Sequence, residues 1–241
     1  TNLLAEAVAR TKVGPLADFD MSEADRYELK IAGLLHDCGK ITTPVHVVDK
    51  ATKLQTLFDR IELVDTRFEV LRRDAEIALL KGELDQAAYE ARLVQLDADR
   101  EAVRQANTGG EFMGDDKIAG LQRIAAHTWR GPDGSEQPFL SAEELDNLCI
   151  RRGTLNNAER EIINHHITMT IRLLEALPWP KHLRNVPEYA GGHHERMDGK
   201  GYPRGLTREQ MSVQARVMGI ADIFEALTAS DRPYKPGKTL S

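Results

Sequence analysis

Apolar residues recur at helical intervals along almost the whole chain, and strict apolar–polar alternation is nearly absent. The pattern predicts an all-α protein with at most one short hairpin, near Trp129-Arg130-Gly131-Pro132-Asp133-Gly134, where turn residues cluster. Residues 1–8 read as mid-helix, so the chain is expected to be part of something longer. Ser22 reads as an N-cap with Asp25 as its box partner. Tyr27, Ile31, Leu34 and Leu35 then form one apolar face leading into His36-Asp37-Cys38-Gly39-Lys40. Gly39 and Pro44 predict that this helix stops just after that segment.

Residues 51–107 follow a different rhythm. Leu54, Leu57, Ile61, Val64, Phe68, Leu71, Ala75 and Ala78 are spaced alternately three and four apart, a heptad stripe. Gly82 breaks it, and Asp85 is placed to cap a second helix carrying Tyr89, Leu93, Leu96 and Val103, with Arg100 as a polar interruption. The expectation is an inserted long antiparallel hairpin over 51–107. Its stripe packs either on the parent core or against a second copy. Segment 108–153 holds a helix from Ser141 to Ile150 and is assigned with 1–50 and 154–241 to the main domain. Further helices are expected at 157–177, 187–194 and 213–230.

Composition narrows the classes. The 241 residues suffice for a buried core, and 32 basic against 38 acidic residues leave a net charge of −6. A nucleic-acid polymer is therefore excluded as the general partner. No apolar run reaches the roughly 18 residues of a membrane span. Two cysteines, Cys38 and Cys149, form no disulfide framework and point to the reducing cytoplasm.

The histidines carry the chemistry. His36-Asp37 pairs an imidazole with a carboxylate that can bridge two ions, a set suited to Fe, Mn, Ni or Zn. Lys40, four residues after His36, can meet an anionic oxygen or simply offset a helix C-terminus. His166 lies on the inward face of its helix, between Ile162-Ile163 and Met169-Thr170, whereas His165 falls on the outer side. His193 and His194 diverge by about 100° in a regular helix, so both reach one ion only at a helix end. Gly191 and Gly192 make such an end plausible. Asp222 sits in the apolar run Val217–Phe224, where it is either a ligand or paired with Arg216. Cys38 reads as a small filler.

These residues together resemble the HD-GYP family of bacterial cyclic dinucleotide phosphodiesterases, a branch of the HD-domain metal phosphohydrolases. The matching stretches are His36–Lys40, Leu155–Leu174, and His193-His194-Glu195-Arg196-Met197-Asp198-Gly199-Lys200-Gly201-Tyr202-Pro203, continuing through Asp222 to Tyr234. The resemblance covers about 1–50 and 154–236 and implies an HD-domain helical bundle holding two divalent metal ions, which would activate a water for in-line attack on phosphorus. It implies that Asp37 bridges the ions, that His36 and Asp222 hold one, and that His166, His193 and His194 hold the other. Lys40, Arg232, Lys235 and Tyr202 would contact the substrate. The expected substrate is cyclic di-GMP, with 3',3'-cyclic GMP-AMP as the alternative, and the product is the linear dinucleotide or mononucleotide. The Gly201-Tyr202-Pro203 loop would shape the site or meet signalling proteins, and the hairpin could pair two subunits. Residues 1–10 contain Glu6 but no histidine, so they offer no full set for a third ion. Two other readings of the same residues are a non-hydrolytic binding module and an HD-fold di-iron oxygenase.

Overall fold

The structure is a computed structural model that describes residues 1–110 and 112–229. It is all-α apart from a two-stranded antiparallel hairpin. Packing divides the described residues into two units, 1–44 with 160–229, and 45–159.

The first unit contains α1 (Asn2–Arg10), α2 (Glu23–Leu35), most of α8 (Asn157–Glu175), α9 (Val186–Gly191) and α10 (Val213–Thr228). Ser22 caps α2 as predicted: its hydroxyl accepts from the Asp25 amide, and the Asp25 carboxylate accepts from the Ser22 amide. Ser212 caps α10 through the Ala215 amide at 3.0 Å. The core gathers Ala5 from α1, Leu29 and Ala32 from α2, Leu174 from α8, Val186 and Ala190 from α9, and Val217 and Met218 from α10.

The predicted face of α2 is met only in part: Ile31 and Leu35 pack against the core. Leu29, Ala32 and Glu28 point inward, while Tyr27 and Leu34 are exposed. Glu28 is tolerated inside because its carboxylate accepts from the Asn185 backbone amide at 2.6 Å and side-chain amide at 3.1 Å. Helix α2 also ends earlier than predicted, at Leu35, and Cys38–Thr42 tighten into a 3₁₀ turn. Likewise α9 stops at Gly191, so His193 and His194 lie in the turn beyond it.

The second unit contains α3 (Val45–Val48), α4 (Ile61–Leu80), α5 (Gln86–Asn107), α6 (Asp115–Ala125), β1 (Thr128–Arg130), β2 (Glu136–Pro138) and α7 (Ala142–Leu148). Strand β1 pairs with β2 in the register Trp129 opposite Gln137. The turn after α4 contains Gly82, and Asp85 caps α5 through the Ala88 amide at 2.7 Å. Asp65 on α4 accepts from Arg100 and Arg104 on α5, so the polar break in the stripe is an ion-paired position. Helix α4 begins ten residues after the predicted start of the insertion. Leu54 is buried outside any helix, its amide held by Asn107 Oδ1 at 2.8 Å, and Leu57 is exposed.

Val64, Phe68 and Leu71 pack against Leu96 and Val103, and also against Leu121, Ile124, Phe139 and Leu148. These stripe residues are thus covered within their own unit. Spacing predicts a boundary at 107, with 108–153 in the main domain. Packing instead puts 108–159 with the hairpin, because α6, α7 and the Phe139-Leu140 segment close its core. Both cysteines are free thiols. Among the described residues no helix is long and apolar enough to cross a membrane.

Candidate metal centre

All the ligand candidates fall in the first unit: His36, Asp37, His193 and His194 at helix ends or turns, His166 within α8 and Asp222 within α10. His36 is the C-cap of α2, and Asp37 follows it at the start of the 3₁₀ turn. That turn lies hard against α8. The Gly39 amide donates to Thr170 Oγ1 at 2.9 Å, and a Cβ on Gly39 would stand 2.0 Å from the His166 carbonyl oxygen. Gly219 plays a similar part on α10, where a Cβ would stand 2.8 Å from the His193 carbonyl oxygen. Only side chains without a Cβ allow these approaches.

The rings of His36, His166, His193 and His194 meet around Asp37. His36 and His193 centroids are 4.9 Å apart, His166 and His194 5.1 Å, and His193 and His194 4.2 Å. Ligand atoms of His166, His193 and His194 lie within 4.8 Å of one another, and so do those of His36, Asp37 and His193. His193 therefore belongs to both groups. The adjacent imidazoles of His193 and His194 converge because α9 has already ended.

Asp37 divides its carboxylate between two sides. Oδ1 lies 3.2 Å from His166 Nε2 and 3.9 Å from His193 Nε2; Oδ2 lies 3.4 Å from His36 Nε2 and 2.6 Å from Lys40 Nζ. Asp222 Oδ1 is 3.6 Å from His36 Nε2. Arg216 has its Nε on the Ser212 carbonyl at 3.3 Å, and Asp222 faces the histidines. Lys40 bonds Asp37 from within the 3₁₀ turn rather than along a helix face. Tyr202 stacks on His194 at 4.9 Å with 15° between the rings. His165 is exposed, and Cys38 is half-buried against the core. Glu6 pairs with Arg10 on its own helix. Arg232 and Lys235 lie outside the described residues.

Three rings share one anchoring device. Nδ1 of His36, His166 and His193 lies 2.8, 2.5 and 2.6 Å from the carbonyl oxygens of Gly33, Ile163 and Ala190. A carbonyl only accepts, so each Nδ1 carries the proton and each Nε2 keeps its lone pair, as in histidines that ligate metals. The Nε2 atoms of His166 and His193 are buried without a hydrogen-bond partner among the described residues. Unpaired buried nitrogens aimed at one point are costly unless a cation meets them. The donor set fits divalent ions of the Fe, Mn, Ni or Zn kind.

The electrostatics agree with that fit. Burial depresses the His194 imidazole to about 4 and lowers that of His193, so both are neutral near pH 7. Asp37 is held well below the usual carboxylate range. Burial opposes this, but the adjacent His166 imidazole and the Lys40 ammonium outweigh it. The nearby His36 imidazole lowers Asp222, and Asp222 in turn raises His36.

The roles of Glu195 and Thr170 were not assigned from the sequence. The buried Glu195 carboxylate accepts from the backbone amides of Arg204 at 2.7 Å and Leu206 at 2.9 Å, fixing the glycine-rich loop that carries Tyr202. An acid just before a loop of glycines, whose amides need acceptors, was the available signal.

Two family models, both described as HD domain, match the chain, over residues 2–104 and 142–241. A cyclic di-GMP phosphodiesterase from Thermotoga maritima is 39% identical over 95 residues, 39% of this chain and 25% of that protein. A 3'3'-cGAMP-specific phosphodiesterase from Vibrio cholerae is 40% identical over 96 residues, 40% of this chain and 21% of that protein. A cyclic di-GMP phosphodiesterase response regulator from Xanthomonas campestris is 34% identical over 95 residues, 39% of this chain and 25% of that protein. The chain spans a quarter or less of the length of these curated relatives.

Proposed function

We infer, from the premise that this chain belongs to the HD-domain family in its HD-GYP branch, that it is a metal-dependent phosphodiesterase of cyclic dinucleotides. The observation that carries the reading is the convergence of His166 and His193 Nε2, buried and unpartnered, on the Asp37 carboxylate.

Divalent ions bound there would supply Lewis acidity, acidifying water at neutral pH and offsetting charge on the phosphate. The two oxygens of Asp37 face different nitrogens, the disposition needed for a carboxylate shared by two ions. His36 and Asp222 would hold one ion; His166, His193 and His194 would hold the other. The depressed imidazoles of His193 and His194 present lone pairs, with no proton to displace.

Lys40, with its side chain 42% exposed, would turn its ammonium from Asp37 to a non-bridging phosphate oxygen, adding positive charge where the transition state develops negative charge. The Tyr202 phenol is raised by burial and by Asp222 and Asp37, so it stays a neutral donor beside His194. Arg232 and Lys235 join the substrate contacts on resemblance alone.

We assign cyclic di-GMP as the substrate and 3',3'-cyclic GMP-AMP as its competitor, since relatives named for each occur. The chain, loaded with Mn(II) or Fe(II) under reducing conditions, is expected to open cyclic di-GMP to the linear dinucleotide. Asp37→Ala should abolish turnover and lower bound metal measured by elemental analysis. Retention of both activities by the variant would refute the site. Oxygen uptake without phosphodiester cleavage would favour the oxygenase reading instead.

A further inference from the structure

The second unit contains a cavity of about 400 Å³ between α5, α6 and the flanking residues 108–110 and 112–113. That size lies in the range of small-molecule sites. Met113, Leu121 and Ile124 give it apolar wall, and the exposed Phe112 adds an aromatic face. Lys53, Lys117 and Arg123 are among the residues that line it.

Arg123 is already matched, holding Asp99 through contacts of 2.6 and 3.2 Å. Lys53 is different. Its residue is 1% exposed, and its ammonium donates to one carbonyl, Leu148 O, at 2.9 Å. It has no carboxylate partner among the described residues. Lysines buried this deeply are normally paired, as Lys50 is with Glu159 at 2.8 Å in the same unit. Burial pushes the Lys53 ammonium down to about 8, against the opposing effect of nearby Cys149 and with a smaller lowering from Lys117. An anion beside Lys53 would satisfy its remaining donors.

We propose that this cavity is a second ligand site, taking a small oxyanion carried on a flat apolar body, with Lys53 gripping the anionic head. The site shares no residue with the histidine cluster and does not depend on that cluster's chemistry. Carboxylates and phosphates share the required head group.

The probe is 2-naphthoate, titrated into the 241-residue chain and followed in the ¹H–¹⁵N spectrum, with neutral 2-naphthalenemethanol alongside. Saturable shifts are expected at the amides of the lining residues Gly109, Gly110 and Gly120. Lys53→Met should weaken naphthoate by about tenfold or more, the size of a charge-assisted hydrogen bond, and leave the alcohol unchanged. Gly120→Leu should block both compounds, because Gly120 lines the cavity and a Cβ there meets no atom within 4 Å. Replacing naphthoate by naphthyl phosphate should preserve the Lys53 dependence. Absence of saturable shifts at these glycines overturns the proposal. So does undiminished naphthoate binding by either variant.

Discussion

Single residues set the chemistry of the first unit, and their protonation can be followed directly. The His194 ring should titrate near 4 rather than at its ordinary 6.5. Between those values the unfolded chain takes up a proton that the folded chain refuses. The metal-free protein is therefore expected to lose stability as pH falls from about 6.5 toward 4. His193 acts in the same direction, and raised His36 opposes both. Asp37, lowered in the fold, adds stability above its ordinary 3.8 that disappears as pH drops through its folded value. Urea midpoints between pH 7 and 4.5 test this, and His194→Gln should flatten the slope. An unchanged slope would remove His194 from the account.

Elements place these residues, and close packing leaves little tolerance. Gly39→Ala would drive a methyl into the His166 carbonyl. A cost of about 1–3 kcal/mol is expected from overpacking alone, together with reduced metal content, measurable by urea titration and elemental analysis. Glu195→Ala should leave the Arg204 and Leu206 amides unsatisfied and expose the 198–206 loop to limited proteolysis. Much of this level was legible in the sequence. Ser22 with Asp25, Asp85 with Ala88, and Ser141 with Glu144 are local chemistry, readable within four residues. What was not legible depends on distant partners. Glu28 is buried because Asn185 lies 157 residues away to receive it. Tyr27 and Leu34 obey helical spacing but have no wall to pack against. Leu57 continues a heptad in a segment that Asn107 holds out of helix.

At the scale of the molecule, the candidate ligands are spread from residue 36 to residue 222 yet lie within one unit, whose chain is interrupted by the whole of the other. Convergence of the histidines was readable from their types and settings. Which ring shares which side of Asp37 was not, because that depends on where α2 and α9 end. Ion binding to the folded form alone should raise thermal stability in proportion to the logarithm of metal concentration. Calorimetry before and after chelation, then with added Mn(II), checks this; an unmoved melting temperature would mean that the cluster binds no ion. Phe68, buried against Phe139 at 4.5 Å, anchors the second unit. Phe68→Ala is expected to cost about 3–5 kcal/mol by denaturant unfolding.

The tethering of three imidazoles to carbonyls three positions upstream has a kinetic corollary. Each tautomer is chosen by the neighbouring turn before any cation arrives, so loading demands no rotation of the rings. Capture should then run at the pace at which the aquo ion sheds its hydration shell. Slowly exchanging Ni(II) would enter far more sluggishly than Mn(II), even where its final affinity is greater.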